Sequence, residues 1–354
     1  MPVTVAGLDT ERAEAFERRI TADLATALHL AAVLMGDRLG LYAALAGGLR
    51  ITAAELAGRT GTHEPYVAAW LAAQAAAGYL DHDADGGTFC LAPEHEAALL
   101  DGRGLLSAVG AFQIAAAAIK DEPLVTEAFR TGDGVAWHEH HPDLFLGYER
   151  FFGSSYARHL TGEWIPALGD IERRLQSGAN VADVGCRRGS TTRLMAAEYP
   201  RSTFVGCDTH EPSIAAARRA SEEAGLDAAA RFLLAGPADL PRGSHDLVTT
   251  FDYLGYEAAP EEAAAAVRAA LAPDGAWLIV EPRAGDTLAV DVDPVEAAVR
   301  AAAALISAPA GAGAPALGPA RLRDVVLAAG FGVLRHVATT SLHLVFEARS
   351  QERS

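Results

Sequence analysis

The sequence predicts an α/β protein: an open, doubly wound sheet preceded by an all-α domain that ends in a winged helix. Three observations carry this. From Val181 onward, the short apolar runs "VADVG", "TFVGCD", "ARFLLA", "HDLVTTFD", "AWLIVEP" and "HLVFEAR" alternate with helical stretches, the pattern of a parallel sheet covered on both faces. The first third is rich in helix formers and holds a helix, a turn, a helix and two short strands. A helical stretch without strand signals joins the two. The expected division is 1–119 for the helical winged-helix domain, 120–175 for a connector lining a substrate cleft, and 176–354 for the sheet domain.

Each element has a local reason. Between Arg12 and Leu34, Phe16, Ile20, Leu24, Leu28 and Ala31 recur at helical spacing and predict an amphipathic helix with one long apolar face. Such a face serves a core or a second copy, and a homodimer through this domain is expected. Thr52 with Glu55 three residues on makes a capping box, Gly61 ends that helix, and Thr62 offers a cap for a second one from Tyr66 to Ala77, which Gly78 stops. "YLDHD" and "TFCLA" flank the hairpin signal "ADGG". At the other end, "FGVLRHVATTSLHLVFEA" reads as an antiparallel pair closing the sheet, and "SAPAGAGAPALGPA" as a loop.

Composition narrows the function. The 354 residues are 50% hydrophobic with a net charge of -17, as in a soluble globular protein and unlike a binder of nucleic-acid phosphates. Residues 1–105 carry 7 Arg and no Lys against 14 Asp plus Glu, and "EPYVAAWLAAQAAAG" has no basic residue with which to reach a base edge. A DNA-binding regulator is therefore the least favoured reading of the winged helix. Cys90, Cys186 and Cys207 form no CxxC and suit a reducing cytoplasm. The N-terminus lacks a signal-peptide pattern, and the longest uncharged run is broken by prolines and glycines, so a cytoplasmic protein without a membrane partner is expected.

The chemistry concentrates in "VADVGCRRGSTTRLMAAEYPRSTFVGCDTHEPSIAAARRA". A strand ending at Asp183 and Val184 delivers Gly185 into a turn, and Gly189 stands where the next helix begins. A ligand can approach such a turn closely, and the helix start offers N–H donors. Asp208 ends the following strand, where a carboxylate can accept from both ribose hydroxyls of a nucleoside. A glycine turn alone also suits an ordinary sheet protein; the turn with the spaced acid favours a nucleoside site.

These segments, with "HDLVTTFDYLG", "LAPDGAWLIVEPRAGD", "AAGFGVLRHVATTSLHLVFEARS" and the connector "WHEHHPDLFLGYERFFGSSYARHLTGEWIPAL", resemble class I S-adenosylmethionine-dependent methyltransferases, a Rossmann-like family. The resemblance is to a bacterial subgroup with an N-terminal winged-helix domain, and it covers nearly the whole chain. It implies S-adenosyl-L-methionine as cofactor at the C-terminal edge of the sheet, a small-molecule acceptor methylated at oxygen or nitrogen, and a helical N-terminal half that closes over the substrate. By the same resemblance, Asp183, Gly185 and Gly189 fall on the first motif and Asp208 on the ribose acid. Phe251 and Asp252 lie beside the methionine end of the cofactor, and Glu281 and Pro282 at the end of the fifth strand.

The sequence departs from the family pattern in three places. Arg187 takes a motif glycine, Leu254-Gly255-Tyr256 stands where Leu-His-Asp is usual, and Gly236 replaces an acid that often contacts adenine. A guanidinium about 7 Å from a sulfonium repels it by roughly 2–3 kcal/mol at an effective dielectric near 20. Swinging into solvent, or pairing with Asp183, Glu281 or the cofactor's carboxylate, would relieve this. With the family histidine gone, "WHEHH" offers His138, Glu139, His140 and His141 as candidate bases; the same cluster also reads as an exposed helix start packed by Trp137. HEHH lacks the HExxH spacing, so no metal is expected. Tyr148, Tyr156, Phe151 and Phe152 line an aromatic pocket or pack in the core. The leading expectation is a small-molecule methyltransferase. Its rival is a methyltransferase fold that no longer methylates, acting as a rearrangement or cyclisation catalyst or as a non-catalytic partner subunit.

Overall fold

In the computed structural model, which describes residues 9–100, 107–257, 259–283 and 317–350, the chain divides into two units, Met1–Ala116 and Ala117–Ser354. The division falls inside a helix, slightly before the boundary expected at 119. The loop-like segment "SAPAGAGAPALGPA" lies almost wholly outside the described residues.

The first unit opens with α1 (Thr10–Arg38), capped by Asp9, whose carboxylate accepts from Arg12 N at 3.1 Å. Then come α2 (Leu41–Leu45), α3 (Ala53–Thr60) and α4 (Glu64–Ala76). The Thr52–Glu55 capping box forms, and Gly61 ends α3 at φ 66°. The second cap differs from expectation: His63, not Thr62, precedes α4. Pro65 in the first turn has no N–H to satisfy and a fixed φ, so the helix begins before Tyr66. β1 (Asp81–Asp83) and β2 (Thr88–Cys90) form the hairpin, and an isolated antiparallel bridge pairs Ile51 with Phe89 of β2. α5 (Pro93–Leu99) and the start of α6 (Ala108–Thr131) complete the unit.

Its core explains why α1 is half committed. Val33, Leu34 and Gly36 are buried, and a Cβ at Gly36 would lie 2.4 Å from the Trp70 ring. Trp70 Nε1 donates to Ala32 O at 2.8 Å, and Tyr42 OH donates to Gln74 Oε1 at 2.7 Å. Further toward the N-terminus, Phe16, Ile20, Leu24 and Leu28 stay 65%, 50%, 57% and 67% exposed, so this apolar face has no cover within the described residues. By length and composition α1 is also apolar enough to cross a membrane, though its last turns are fixed in the domain core.

The second unit holds the rest of α6, then α7 (Pro142–His159) and α8 (Asp170–Ser177). The sheet domain follows as β3 (Asn180–Val184), α9 (Ser190–Glu198), β4 (Thr203–Asp208), α10 (Glu211–Glu223), β5 (Ala230–Leu234) and β6 (His245–Phe251). It ends with α11 (Pro260–Ala270), β7 (Leu271–Pro282), α12 (Pro319–Ala328), β8 (Val333–Thr339) and β9 (His343–Arg349). The seven strands run in the order β5-β4-β3-β6-β7-β9-β8. Every pair is parallel except β7/β9 and β8/β9, so the expected closing antiparallel pair forms. Central strands are buried on both faces: β7 supplies the apolar run AWLIV, and in β6 the buried Thr249 and Thr250 hydroxyls are paired with Asp183 and Trp277.

Strand order reverses between β3 and β6, which are neighbours in space but not in sequence. A crevice opens at the carboxyl ends of such a pair, because the connecting helices leave in opposite directions. Beneath it, Trp277 is fully buried, donates to Thr250 Oγ1 at 3.0 Å and packs 5.4 Å from the Phe331 ring. Trp277→Ala should lower unfolding free energy by about 3–5 kcal/mol in urea denaturation. Leu327→Ala, at a 40% exposed position on α12, should change it by less than about 1 kcal/mol.

Candidate functional site

The turn after β3 is held from below. Asp183 is buried and accepts from Thr191 Oγ1 (2.7 Å), Thr192 Oγ1 (2.6 Å) and Thr249 Oγ1 (2.9 Å). Burial pushes its carboxyl up, and the three hydroxyls pull it back. Asp183 thus ties α9 and β6 to β3 from a buried position. Gly185 and Gly189 adopt φ 69° and 74°, as the turn requires. Their bare faces are covered by this chain's own rings, where an open approach was expected. A Cβ would lie 2.3 Å from the Tyr253 ring at Gly185 and 2.4 Å from the Phe232 ring at Gly189.

Arg187 completes the turn in the left-handed region, φ 49°, which a side chain rarely adopts. Its N–H donates to Asp208 Oδ2 at 2.9 Å, and His210 N donates to Oδ1 at 2.8 Å, so the half-buried acid at the end of β4 is fixed from two sides. The guanidinium does not turn out into solvent. It reaches across to the end of β6, donating to Phe251 O at 3.3 Å and Asp252 O at 2.6 Å. Its central carbon sits 5.0, 5.2 and 5.9 Å from the ring centroids of Trp137, Tyr148 and Tyr256, a three-sided cation–π cage. Its hydrogen bonds go to these two carbonyls, and the expected ion pair with Asp183 or Glu281 does not form.

Around this cation, buried polar groups are drawn together. Asp252, also at positive φ (47°), accepts from Tyr156 OH at 2.5 Å and lies 3.5 Å from His343 Nε2. Burial works to raise its carboxyl, but His343, Arg187 and Tyr156 hold it below the usual carboxylate range. Tyr148 and Tyr256 share a hydroxyl–hydroxyl hydrogen bond. Burial, helped by Asp252, pushes the Tyr148 phenol up to about 12, and burial carries Tyr156 and Tyr256 well above their ordinary value. Burial alone would lower Arg187, but Asp252 and the phenols outweigh it and the guanidinium stays charged. The space remaining beside Tyr148, Phe152, Tyr156 and Arg187 is about 30 Å³.

The four "WHEHH" candidates separate. His138 is exposed. Glu139 is also exposed, and its carboxylate caps the turn at Ala136 N, 2.9 Å away. His141 caps α7, accepting from Asp143 N at 3.1 Å. Only His140 is buried, with Nδ1 2.9 Å from Asp121 Oδ2 and Nε2 without a partner. A carboxylate can only accept, so Nδ1 carries a proton, and in the neutral ring Nε2 is the acceptor. Asp121 is fixed in turn by His141 N at 2.9 Å. Asp121 and His140 line an open cavity of about 390 Å³ with Ala118, Val125, Thr126 and Phe129. Sequence reasoning missed Asp121, since nothing in "IKDEP" marks one acid over its neighbour. It also missed Tyr253 and the cage role of Tyr256. Among the described residues, no group of three or more His, Cys, Asp or Glu is placed to hold a metal.

Glu281, at the end of β7, accepts from Leu254 N (2.9 Å), Tyr253 N (3.2 Å) and Gly255 N (3.4 Å). Burial, aided by Asp252, pushes its carboxyl up to about 8 from 4.5. The folded state therefore keeps a proton that the unfolded chain releases between these values. Stability should decline across that interval, by at most about 1.4 kcal/mol per pH unit. Glu281→Gln removes the proton exchange. The stability of the variant relative to the parent should rise with pH between the two values and level off above them, as read from urea midpoints.

Residues 182–277 match the methyltransferase domain family and residues 26–101 the Rv2258c-like winged HTH domain family. No curated protein matches the chain by sequence. Among solved structures, mitomycin 7-O-methyltransferase MmcR superposes with a TM-score of 0.68 at 17% identity, covering 96% of this chain and 99% of that one. PigF with SAH gives 0.68 at 17% identity over 98% and 100%. Human N-acetylserotonin methyltransferase in complex with SAM gives 0.68 at 14% over 99% and 100%. At such identities the likeness speaks for the fold, and each domain match speaks for the residues it covers. Residues 182–277 are thus a methyltransferase domain and residues 26–101 an Rv2258c-like winged HTH domain, and the chain as a whole has the fold of these methyltransferases.

Proposed function

We propose that this protein is an S-adenosylmethionine-dependent methyltransferase acting on a small molecule, at an oxygen or nitrogen acceptor. The observation that carries the reading is Asp208. It stands at the carboxyl end of β4 beside the turn after β3, and the two N–H groups it accepts leave lone pairs for ribose hydroxyls. The nucleoside half of the cofactor fits this acid and turn. The amino-acid arm does not fit while Arg187 fills the cage, because about 30 Å³ holds roughly two water molecules.

S-Adenosylmethionine supplies an electrophilic methyl group when bound. The remaining work belongs to the chain. Asp208 orients a ribose, and the Trp137, Tyr148 and Tyr256 rings keep water from the crevice. Asp121 holds His140 with Nε2 as acceptor, so His140 is the residue we assign to take the proton of an acceptor hydroxyl or amine. The apolar walls beside it, Val125 and Phe129, suit an acceptor with a hydrophobic body. O-methylation by the mitomycin enzyme makes a hydroxyl the first acceptor to try, and specialised metabolism the natural setting. Buried free thiols at Cys90, Cys186 and Cys207 agree with a cytoplasmic location.

A second reading is favoured by Arg187 and Tyr253, which together occupy the crevice: a methyltransferase fold that no longer methylates. Calorimetric titration with S-adenosylmethionine and S-adenosylhomocysteine separates the two. The methyltransferase reading expects both to bind, with affinity falling at least about tenfold in Asp208→Ala. No binding at millimolar donor would favour the second reading.

Turnover should fall by about 10²–10⁴-fold in His140→Asn with donor affinity unchanged. The exposed Phe16, Ile20, Leu24 and Leu28 face of α1 supports a homodimer through the N-terminal domain. Leu24→Glu combined with Leu28→Glu should give a monomer in light scattering, and an unchanged dimer would remove α1 from the interface.

A further inference from the structure

We infer that Arg187 sets the nucleoside specificity of the crevice. Its guanidinium occupies the one cation position of the Trp137–Tyr148–Tyr256 cage, so a ligand with a cationic arm must displace it, whereas a neutral nucleoside binds beside it. This deepens the nucleoside-binding reading above and rests on it.

Three features of the molecule lead here. First, one residue contacts both halves of the site: its backbone N–H holds Asp208, and its side chain crosses to the carbonyls of Phe251 and Asp252. A nucleoside on Asp208 therefore lies next to the guanidinium. Second, the cage is built for a single cation. Its three ring faces are already shared by one guanidinium within 6 Å, the range over which a ring attracts a positive charge. The acid hydrogen-bonded within this cluster is Asp252, which Tyr156 and the neighbouring His343 also engage. Third, the arrangement leaves about 30 Å³, too little for a second charged arm with the guanidinium in place. A sulfonium and this guanidinium are thus alternative occupants of one site, and the affinity of a cationic ligand is reduced by the fraction of molecules in which Arg187 holds the cage.

The test is calorimetric titration of the full chain and of Arg187→Gly and Arg187→Asn with S-adenosylmethionine and with adenosine. Gly and Asn both tolerate the left-handed backbone at this position, so the turn is kept while the cation is removed. The expected result is at least about tenfold tighter S-adenosylmethionine binding in both variants, with adenosine affinity within about threefold of the parent. Should adenosine bind all three proteins while S-adenosylmethionine gains nothing from either substitution, the specificity role is overturned and the nucleoside site stands. If adenosine binds none of them, the nucleoside reading falls and the inference with it.

A second measurement needs no Arg187 variant. The emission difference between the parent and Trp137→Phe reports the ring that the guanidinium covers at 5.0 Å. S-Adenosylmethionine should change it as the guanidinium leaves, and adenosine should not. An equal response to both ligands contradicts displacement.

Discussion

One guanidinium spans the gap between the carboxyl ends of β3 and β6, and the candidate site is organised around it. In an open α/β sheet these ends diverge where strand order reverses, leaving a crevice that is normally a ligand's place. Here Arg187 leaves the β3 turn, touches the backbone of Phe251 and Asp252 at the end of β6, and collects three aromatic faces on the way. The bridge is local, but the elements it touches come from distant parts of the chain: the stretch before α7, α7 itself, the β3 turn and the β6 turn.

The cost of that bridge is visible in the backbone. Arg187 and Asp252 both sit at positive φ, and a residue with a side chain is held there only when its surroundings over-determine it, at a cost of about 1–3 kcal/mol each. At Arg187 the surroundings are Asp208, which takes the backbone N–H, and the cage, which takes the side chain. At Asp252 they are the Val280 carbonyl, which accepts the Asp252 N–H at 2.8 Å, and Tyr156, which donates to the carboxylate. Two strained residues thus face each other across the switch-point crevice.

Much of this was legible in the sequence, and the illegible part has a physical pattern. The alternation of apolar runs and helices after Val181 gave the strands and the doubly wound sheet because the central strands are buried. The Thr52–Glu55 box and the "ADGG" turn were readable because capping and hairpin chemistry are set by residues within a few positions of one another. Asp208 was readable because its place at a strand end follows from the strand itself. By contrast, the destination of the Arg187 side chain depends on Trp137, Tyr148 and Tyr256, separated by up to 119 positions, and no local rule brings them together. The same holds for Asp121 and His140, whose contact depends on how α6 meets the turn before α7. The threonines that take up the Asp183 carboxylate lie on α9 and β6, and the one on β6, 66 positions away, was not readable from the motif.

The charges of the crevice fit a single cation. Asp252 and Glu281 are both buried near Arg187, yet they are driven in opposite directions. Asp252 lies against His343 and Tyr156 and stays ionised. Glu281 faces only backbone N–H groups and the charge of Asp252, so it holds its proton near neutrality. One carboxylate then balances one guanidinium, and phenols pushed above their ordinary range by burial add no further negative charge. Removing the arginine without replacing its charge would leave the buried Asp252 with only His343 and Tyr156 as partners, a less favourable arrangement. The same imbalance is what would draw in a cation from outside. The residue that closes the crevice and the ligand class it keeps out are therefore two solutions of one electrostatic requirement, set by Asp252.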